Sequence, residues 1–264
     1  MKRTIGMNGQ VRLVKQAFLA EIIIDRPDKL NALSVEMLEA LQQCIQAIEA
    51  DKNCRVVILH TTGHRAFCVG ADINAWAEYS PLDMWRTWVK RGHRIFDGLA
   101  QLPQPVIAVI QGPALGGGLE LALAADIRIA ETTARFGLPE ASIATCPGWS
   151  GSQRLNRLIN PSLMKEMLFT GRQLSSERAY QLGLINEVAA NGAGLASARQ
   201  MAAEIIQRAP ISVQLAKQLV DAGLGDNTAM ILEAMAGSLA AHTQDAQEGI
   251  AAFRSKRQPE FKGE

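Results

Sequence analysis

Hydrophobic and polar positions follow two regimes along this chain. Two β-branched runs, Val11–Val14 and Phe18–Ile24, open it and read as short strands. Residues 34–50 place Met37, Leu38, Leu41, Ile45 and Ile48 at steps of three and four, which predicts an amphipathic helix capped by Ser34. Arg55–Leu59 reads as a buried strand, residues 82–99 as a helix, Val106–Ile110 as a strand, and Asp126–Ala130 as a return to strand. Strands alternating with helices predict an α/β sheet built from crossovers. Beyond residue 145 the helical spacing takes over, over Pro161–Phe169, Ser176–Leu182, Leu195–Arg208, Pro210–Ala222, Ala229–Ala241 and Asp245–Lys256. The change places a boundary near residue 195, with a core over 1–194 and a helical region over 195–264. Ala234, Ala236, Ala240, Ala241, Ala251 and Ala252 make that region dense in small residues, permitting close helix packing within or between subunits. No fixed-period repeat runs through the chain.

The strand Val106–Ile110 runs into a glycine-rich bend, Gly112-Pro113-Ala114-Leu115-Gly116-Gly117-Gly118, and then into a short apolar helix carrying Glu120 in its first turn. Glycines leave backbone N–H groups uncovered, and a helix start aims those dipoles outward, so the bend suits developing negative charge. A carboxylate beside such a bend is a candidate general acid or base. An acid in a first helical turn also complements the helix dipole, worth about 0.3–1 kcal/mol. Leu119, Leu121, Ala122, Leu123, Ala124 and Ala125 flank Glu120, however, and a carboxylate in such surroundings needs partners or a raised pKa. Glu140 follows twenty residues later in Phe136-Gly137-Leu138-Pro139-Glu140. The bend lacks the GK[ST] of a P-loop and the spacing of GxGxxG, which disfavours a nucleotide-cradling loop.

Composition narrows the class. The 264 residues suit one α/β unit or a large domain with an appendage, and 48 % hydrophobic content suffices for a sizeable core. A formal charge of +1 disfavours a dedicated nucleic-acid binder. Cys44, Cys54, Cys68 and Cys146 form no CxxC pair, and His60, His64, His93 and His242 form no recognisable metal pair with them or with each other. The four cysteines are expected as buried thiols in a reducing compartment. With no 18-residue apolar run and no signal-like N-terminus, a soluble cytoplasmic protein is expected, with no membrane partner.

Six segments, RPDKLNAL (26–33), AFCVGADI (66–73), GPALGGGLELALAADIRIA (112–130), FGLPE (136–140), PGWSGSQRL (147–155) and AFRSKRQPEFKG (252–263), together resemble the crotonase superfamily of enoyl-CoA hydratases and isomerases. The resemblance covers roughly residues 10 to 264 and implies a spiral of ββα units with a helical C-terminal trimerisation region. It implies Glu120 and Glu140 as the catalytic carboxylates and the N–H groups of Ala71 and Gly117 as an oxyanion hole for a thioester oxygen. One aligned donor of that kind is worth about 2.7–4 kcal/mol. The resemblance further implies acyl-CoA contacts by Lys29, Leu30, Ala71, Asp72, Ile73, Asn74, Gly117, Gly148 and Trp149, with Phe253 and Lys256 completing a neighbour's site in a trimer or a hexamer built from trimers. It implies hydration of a trans-2-enoyl-CoA, with CoA as part of the substrate and neither metal nor redox cofactor. A double-bond isomerase, a dehydratase of a decorated acyl-CoA such as carnitinyl-CoA, and a non-catalytic binding protein on the same fold are the alternatives.

Two departures bear on specificity. Asn74 stands where a lysine is common, which removes one expected nucleotide contact. Trp149-Ser150 replaces the usual Ala-Gly, so the tryptophan is expected to wall the acyl pocket or cover its mouth. Trp76, Trp85 and Trp88 fall in the segment that shapes acyl selectivity, where they either line the pocket or pack a variable helix.

Overall fold

The computed structural model describes residues 9–76, 79–222 and 227–264, apart from the side chains of 75, 76, 227–231, 233 and 234. Its first two strands, β1 (Gln10–Gln16) and β2 (Leu19–Asp25), form an antiparallel hairpin. From β2 the sheet continues in parallel through β3 (Val56–Thr61) and β4 (Val106–Ile110). After the two-residue strand β5 (Ala114–Leu115) the chain returns as β6 (Ile127–Glu131), parallel to β4. A separate three-stranded sheet in the order β5-β7-β8 is completed by β7 (Arg135–Gly137) and β8 (Leu174–Ser175). The last strand, β9 (Glu187–Ala189), gives the large sheet its order β1-β2-β3-β4-β6-β9.

Period-two geometry sorts the apolar strands into two cores. Val57, Leu59, Ala108 and Ile110 join the main core with the helices Val35–Glu49 and Lys90–Ala100. Val56, Ile58, Ile107, Val109 and Ile129 face the other way and meet Ala198 and Ala202 of the helix Gly194–Ile206. Strands covered on both faces read as continuous apolar runs, as parallel strands do. Ser34 caps the first helix as expected, its side chain accepting the Met37 N–H at 3.3 Å.

Three expectations change in detail. Beyond residue 145 the chain is not purely helical, because β8 and β9 return to the two sheets as strands of two and three residues, too short to show a period. The predicted helix over 82–99 divides into the turn Pro81–Asp83, a π-helical stretch Met84–Val89 and the α-helix Lys90–Ala100. Cys44, Cys54 and Cys68 are buried free thiols, but Cys146 is exposed on the loop before Pro147. The helices Pro210–Ala222, Asn227–Ala241 and Gln244–Arg254 end the chain. No helix among the described residues is long and apolar enough to cross a membrane.

The glycine bend is held by its neighbours. Leu115 N–H donates to Cys68 O at 3.0 Å and Gly116 N–H to Gly137 O at 2.9 Å, so the bend is tied to both the 66–74 loop and β7. A Cβ on Gly118 would lie 2.0 Å from Cys68 O, so only glycine lets the helix start approach that loop.

Candidate active site

The loops leaving β3 and β4 converge with β7 at the C-terminal ends of parallel strands, where ligand crevices of α/β sheets form. A Cβ on Gly70 would stand 3.0 Å from Gly117 N, which sets the 70–71 backbone beside the start of the helix Gly117–Leu123. The bridge between Leu33 and Ala71 uses Leu33 N–H to Gly70 O and Asp72 N–H to Leu33 O, and bypasses the Ala71 N–H. Gly117 is the first residue of its helix, where an N–H has no intrahelical acceptor. The segments that carry the two donors singled out in the sequence thus meet where Gly70 approaches Gly117.

Glu120 lies one turn into that helix and is 2 % exposed. Its Oε1 accepts the N–H groups of Trp149 and Gly151, each at 2.8 Å. Burial pushes its pKa above the ordinary carboxylate range, opposed by the N–H groups of Trp149, Gly151 and Gly148. Gly151 is required for this fit, since its Cβ would fall 2.6 Å from Glu120 Cγ.

Glu140 opens the 3-10 turn Glu140–Ile143 behind Pro139. A Cβ on Gly116 would stand 3.2 Å from Glu140 Oε1, so this carboxyl faces the glycine bend. Both of its oxygens are shielded and have no hydrogen-bond partner among the described residues. Burial pushes its pKa up to about 7, opposed by its own backbone N–H and aided by the charge of Glu120. A buried, unpaired carboxyl near neutrality both gives and takes a proton readily. It is not the ordinary surface carboxylate that its position after a turn could suggest.

The 26–33 and 66–74 segments knit into one surface beside this centre. Arg26 Nη1 donates to Asp72 Oδ2 at 2.8 Å and to Ala32 O at 3.0 Å. Leu30 O accepts Val69 N–H at 3.3 Å, and Asp72 Oδ1 accepts Asn74 N–H at 3.1 Å. Lys29 and Asn74 are exposed, and Ile73 is half exposed. Phe253, 84 % exposed, stands on the last helix, and Lys256 lies just past its cap, Ser255. Among the described residues no hydrogen bond, ion pair or ring contact brings either to Ala71 or Gly117 of the same chain. Asn31 escaped the sequence reading although it lies in a quoted motif. It is 1 % exposed with φ +57, and its amide ties Arg26 N–H, Thr62 O and Ala66 O together at 2.9–3.1 Å.

Trp149 is inside rather than over the mouth, at 3 % exposure. Its ring meets Phe96 at 5.2 Å and Trp88 at 5.4 Å between centroids, and a Cβ on Gly117 would lie 2.8 Å from its Cζ3. The aromatic segment therefore divides: Trp88 packs with Trp149, whereas Trp85 is 59 % exposed under the ammonium of Lys90. The Trp76 side chain lies outside the described residues. Gly148 sits between Trp149 and the exposed Cys146 loop.

The enoyl-CoA hydratase/isomerase family pattern matches residues 14–264, and the chain belongs to this family. Among its relatives, the YngF protein of Bacillus subtilis is 43 % identical over 252 residues, spanning 95 % of this chain and 96 % of that one. The short-chain-enoyl-CoA hydratase of Clostridium acetobutylicum is 36 % identical over 252 residues, with 95 % and 96 % covered. The fold matches the crystal structure of an enoyl-CoA hydratase from Bacillus anthracis with a TM-score of 0.92 at 38 % identity, covering 96 % of this chain and 99 % of that one. The α/β crotonase fold is thereby established.

Proposed function

We propose that this protein hydrates a trans-2-enoyl-CoA to the 3-hydroxyacyl-CoA, and catalyses the reverse dehydration. The observation that carries this proposal is the pairing of a fixed carboxylate with an unpartnered one across the glycine bend. Glu120, held through Oε1 by two N–H donors, keeps Oε2 to orient a water. Glu140, with neither oxygen hydrogen-bonded among the described residues, moves the proton. The water oxygen bonds to C3 while the protonated Glu140 carboxyl gives its proton to C2 and recovers one from that water. One water is consumed and the carboxyl ends as it began. The N–H groups of Ala71 and Gly117 take the charge that gathers on the thioester oxygen, in a site where such dipoles cost no reorganisation. The acyl carbonyl is itself the electron sink, so the reaction as proposed draws on no metal and no redox cofactor. Lys29, Leu30, Asp72, Ile73 and Asn74 form the surface for the CoA end, with the lysine suited to phosphate.

The division between the two acids is testable. Glu120→Ala is expected to lower hydration at least about 10²-fold and to spare the shift of a double bond along the acyl chain, which needs one proton-moving carboxyl. Both rates, measured on 2-enoyl- and 3-enoyl-CoA, report it. Equal loss of the two contradicts this division.

The C-terminal region 195–264 is assigned to oligomerisation, and the protein to the cytoplasm. Met235, Leu239, Ile250 and Phe253 are 64, 57, 55 and 84 % exposed, a large apolar display for one chain. Light scattering should give three or six copies of the 28.6 kDa chain. A stable, fully active monomer would exclude both the trimer and the neighbour's contribution of Phe253 and Lys256.

A further inference from the structure

Ser150 has φ +73, a left-handed conformation that a residue with a side chain adopts at a cost. Its hydroxyl is engaged on two sides. Ser150 Oγ lies 2.8 Å from His93 Nε2 and 3.3 Å from Asp97 Oδ1. His93 Nδ1 lies 3.3 Å from Gly148 O. A carbonyl only accepts, so Nδ1 donates to Gly148 O, while Nε2 and Asp97 Oδ1 both face the serine hydroxyl, whose single proton serves one of them at a time. Arg154 closes the group by donating to Asp97 Oδ1 and, at 3.3 Å, to Trp149 O. His93 and Arg154 thus grip the segment at Gly148, Trp149 and Ser150. The N–H groups flanking Ser150, those of Trp149 and Gly151, are the two that hold Glu120 Oε1.

We propose that His93 and Ser150, backed by Asp97 and Arg154, are positioning residues that fix the Trp149 and Gly151 N–H groups and through them the Glu120 carboxylate. The proposal rests on the reading of Glu120 as the acid that orients water for hydration. The backbone conformation at Ser150 is one that glycine adopts freely. The serine there is explained by its hydroxyl, which reaches both His93 and Asp97. All four side chains belong to two helices, Lys90–Ala100 and Gly151–Leu155, and to the residue capping the second. The network therefore ties the orientation of Glu120 to the seating of one helix against another.

Ser150→Gly separates positioning from mere support, because it relieves the strained φ while deleting the hydroxyl. The variant is expected to melt no lower than the parent. Its kcat for crotonyl-CoA hydration should fall about tenfold to a hundredfold with KM unchanged, the pattern of an interaction realised in the transition state. His93→Leu should show the same split, and His93→Gln, which keeps a polar atom toward Ser150, should recover part of the rate. Infrared difference spectra give a readout independent of turnover, with the protonated Glu120 band assigned by its disappearance in Glu120→Gln. Loosening the two N–H donors should move Glu120 titration to higher pH in both Ser150→Gly and His93→Leu. Parental kcat together with unmoved Glu120 titration in both variants overturns the proposal. A parent that hydrates no enoyl-CoA overturns the hydration reading instead, and the infrared titration still decides whether His93 and Ser150 position Glu120.

Discussion

Glu140→Gln will lower hydration kcat by at least about 10²-fold and, at alkaline pH, make the protein more stable. Both effects have one cause. Burial holds this carboxyl neutral up to about pH 7, against 4.5 for an unburied glutamate. Its neutral form is therefore the one that folding favours. The associated stability is complete below about pH 4.5, declines as pH rises, and is gone once pH passes through about 7. The shift corresponds to about 3 kcal/mol. A glutamine ionises nowhere, so denaturant unfolding of parent and variant should differ little at pH 4 and by up to about 3 kcal/mol in favour of the variant above pH 8. The same titration should shape activity, with hydration declining above about pH 7 as the proton donor is lost. A pH-independent stability difference would place Glu140 in water, with no raised pKa and no special fitness for proton transfer.

Gly92→Ala and Trp149→Ala will each destabilise, yet Gly92→Ala will stabilise a protein already carrying Trp149→Ala. A Cβ on Gly92 would fall 2.0 Å from Trp149 Nε1 and 2.3 Å from its Cε2. Overpacking of that kind costs about 1–3 kcal/mol. Removing the tryptophan alone, buried against Phe96 and Trp88, should cost about 3–5 kcal/mol. With the indole gone, alanine at position 92 should add about 0.5–1 kcal/mol as the better helix former. Denaturant unfolding of the four proteins measures this reversal of sign, and additive effects would refute the contact. Because the indole also lies against Gly117, Trp149→Ala should open space beside the thioester site. Its kcat/KM ratio for long-chain over crotonyl-CoA should rise at least about tenfold. A stability loss with an unchanged ratio would make Trp149 purely structural.

The sequence made some of this legible and concealed the rest for physical reasons. Continuous apolar strands such as Val106–Ile110 and the spacing of Met37, Leu38, Leu41, Ile45 and Ile48 announced the main sheet and its first helix, because burial imposes period. Strands β8 and β9 are shorter than any period and take their conformation from the edges they pair with. Glu120 stood out because a charge among alanines and leucines demands a partner, but the partner is backbone, the N–H of Trp149 and Gly151, which carries no sequence signal. Glu140 gave the opposite case, an acid with nothing unusual beside it whose burial comes from distant segments. Nothing in the sequence around Gly92 marks its role, since the indole that needs it lies more than fifty residues away. Asn31, His93 and Asp97 likewise work through long-range contacts, and the one local hint was a serine at a position that glycine would fill more easily.

Crotonyl-CoA carries a conjugated enoyl thioester whose ultraviolet band disappears when water adds across the double bond. Following that band with the purified protein tests the central claim most directly. The parent should bleach it to the equilibrium mixture with 3-hydroxybutyryl-CoA, and Glu120→Ala and Glu140→Gln should do so at least about 10²-fold more slowly. A folded parent protein that leaves the band intact, or a Glu140→Gln variant that bleaches it at the parental rate, would contradict hydration by this pair of glutamates.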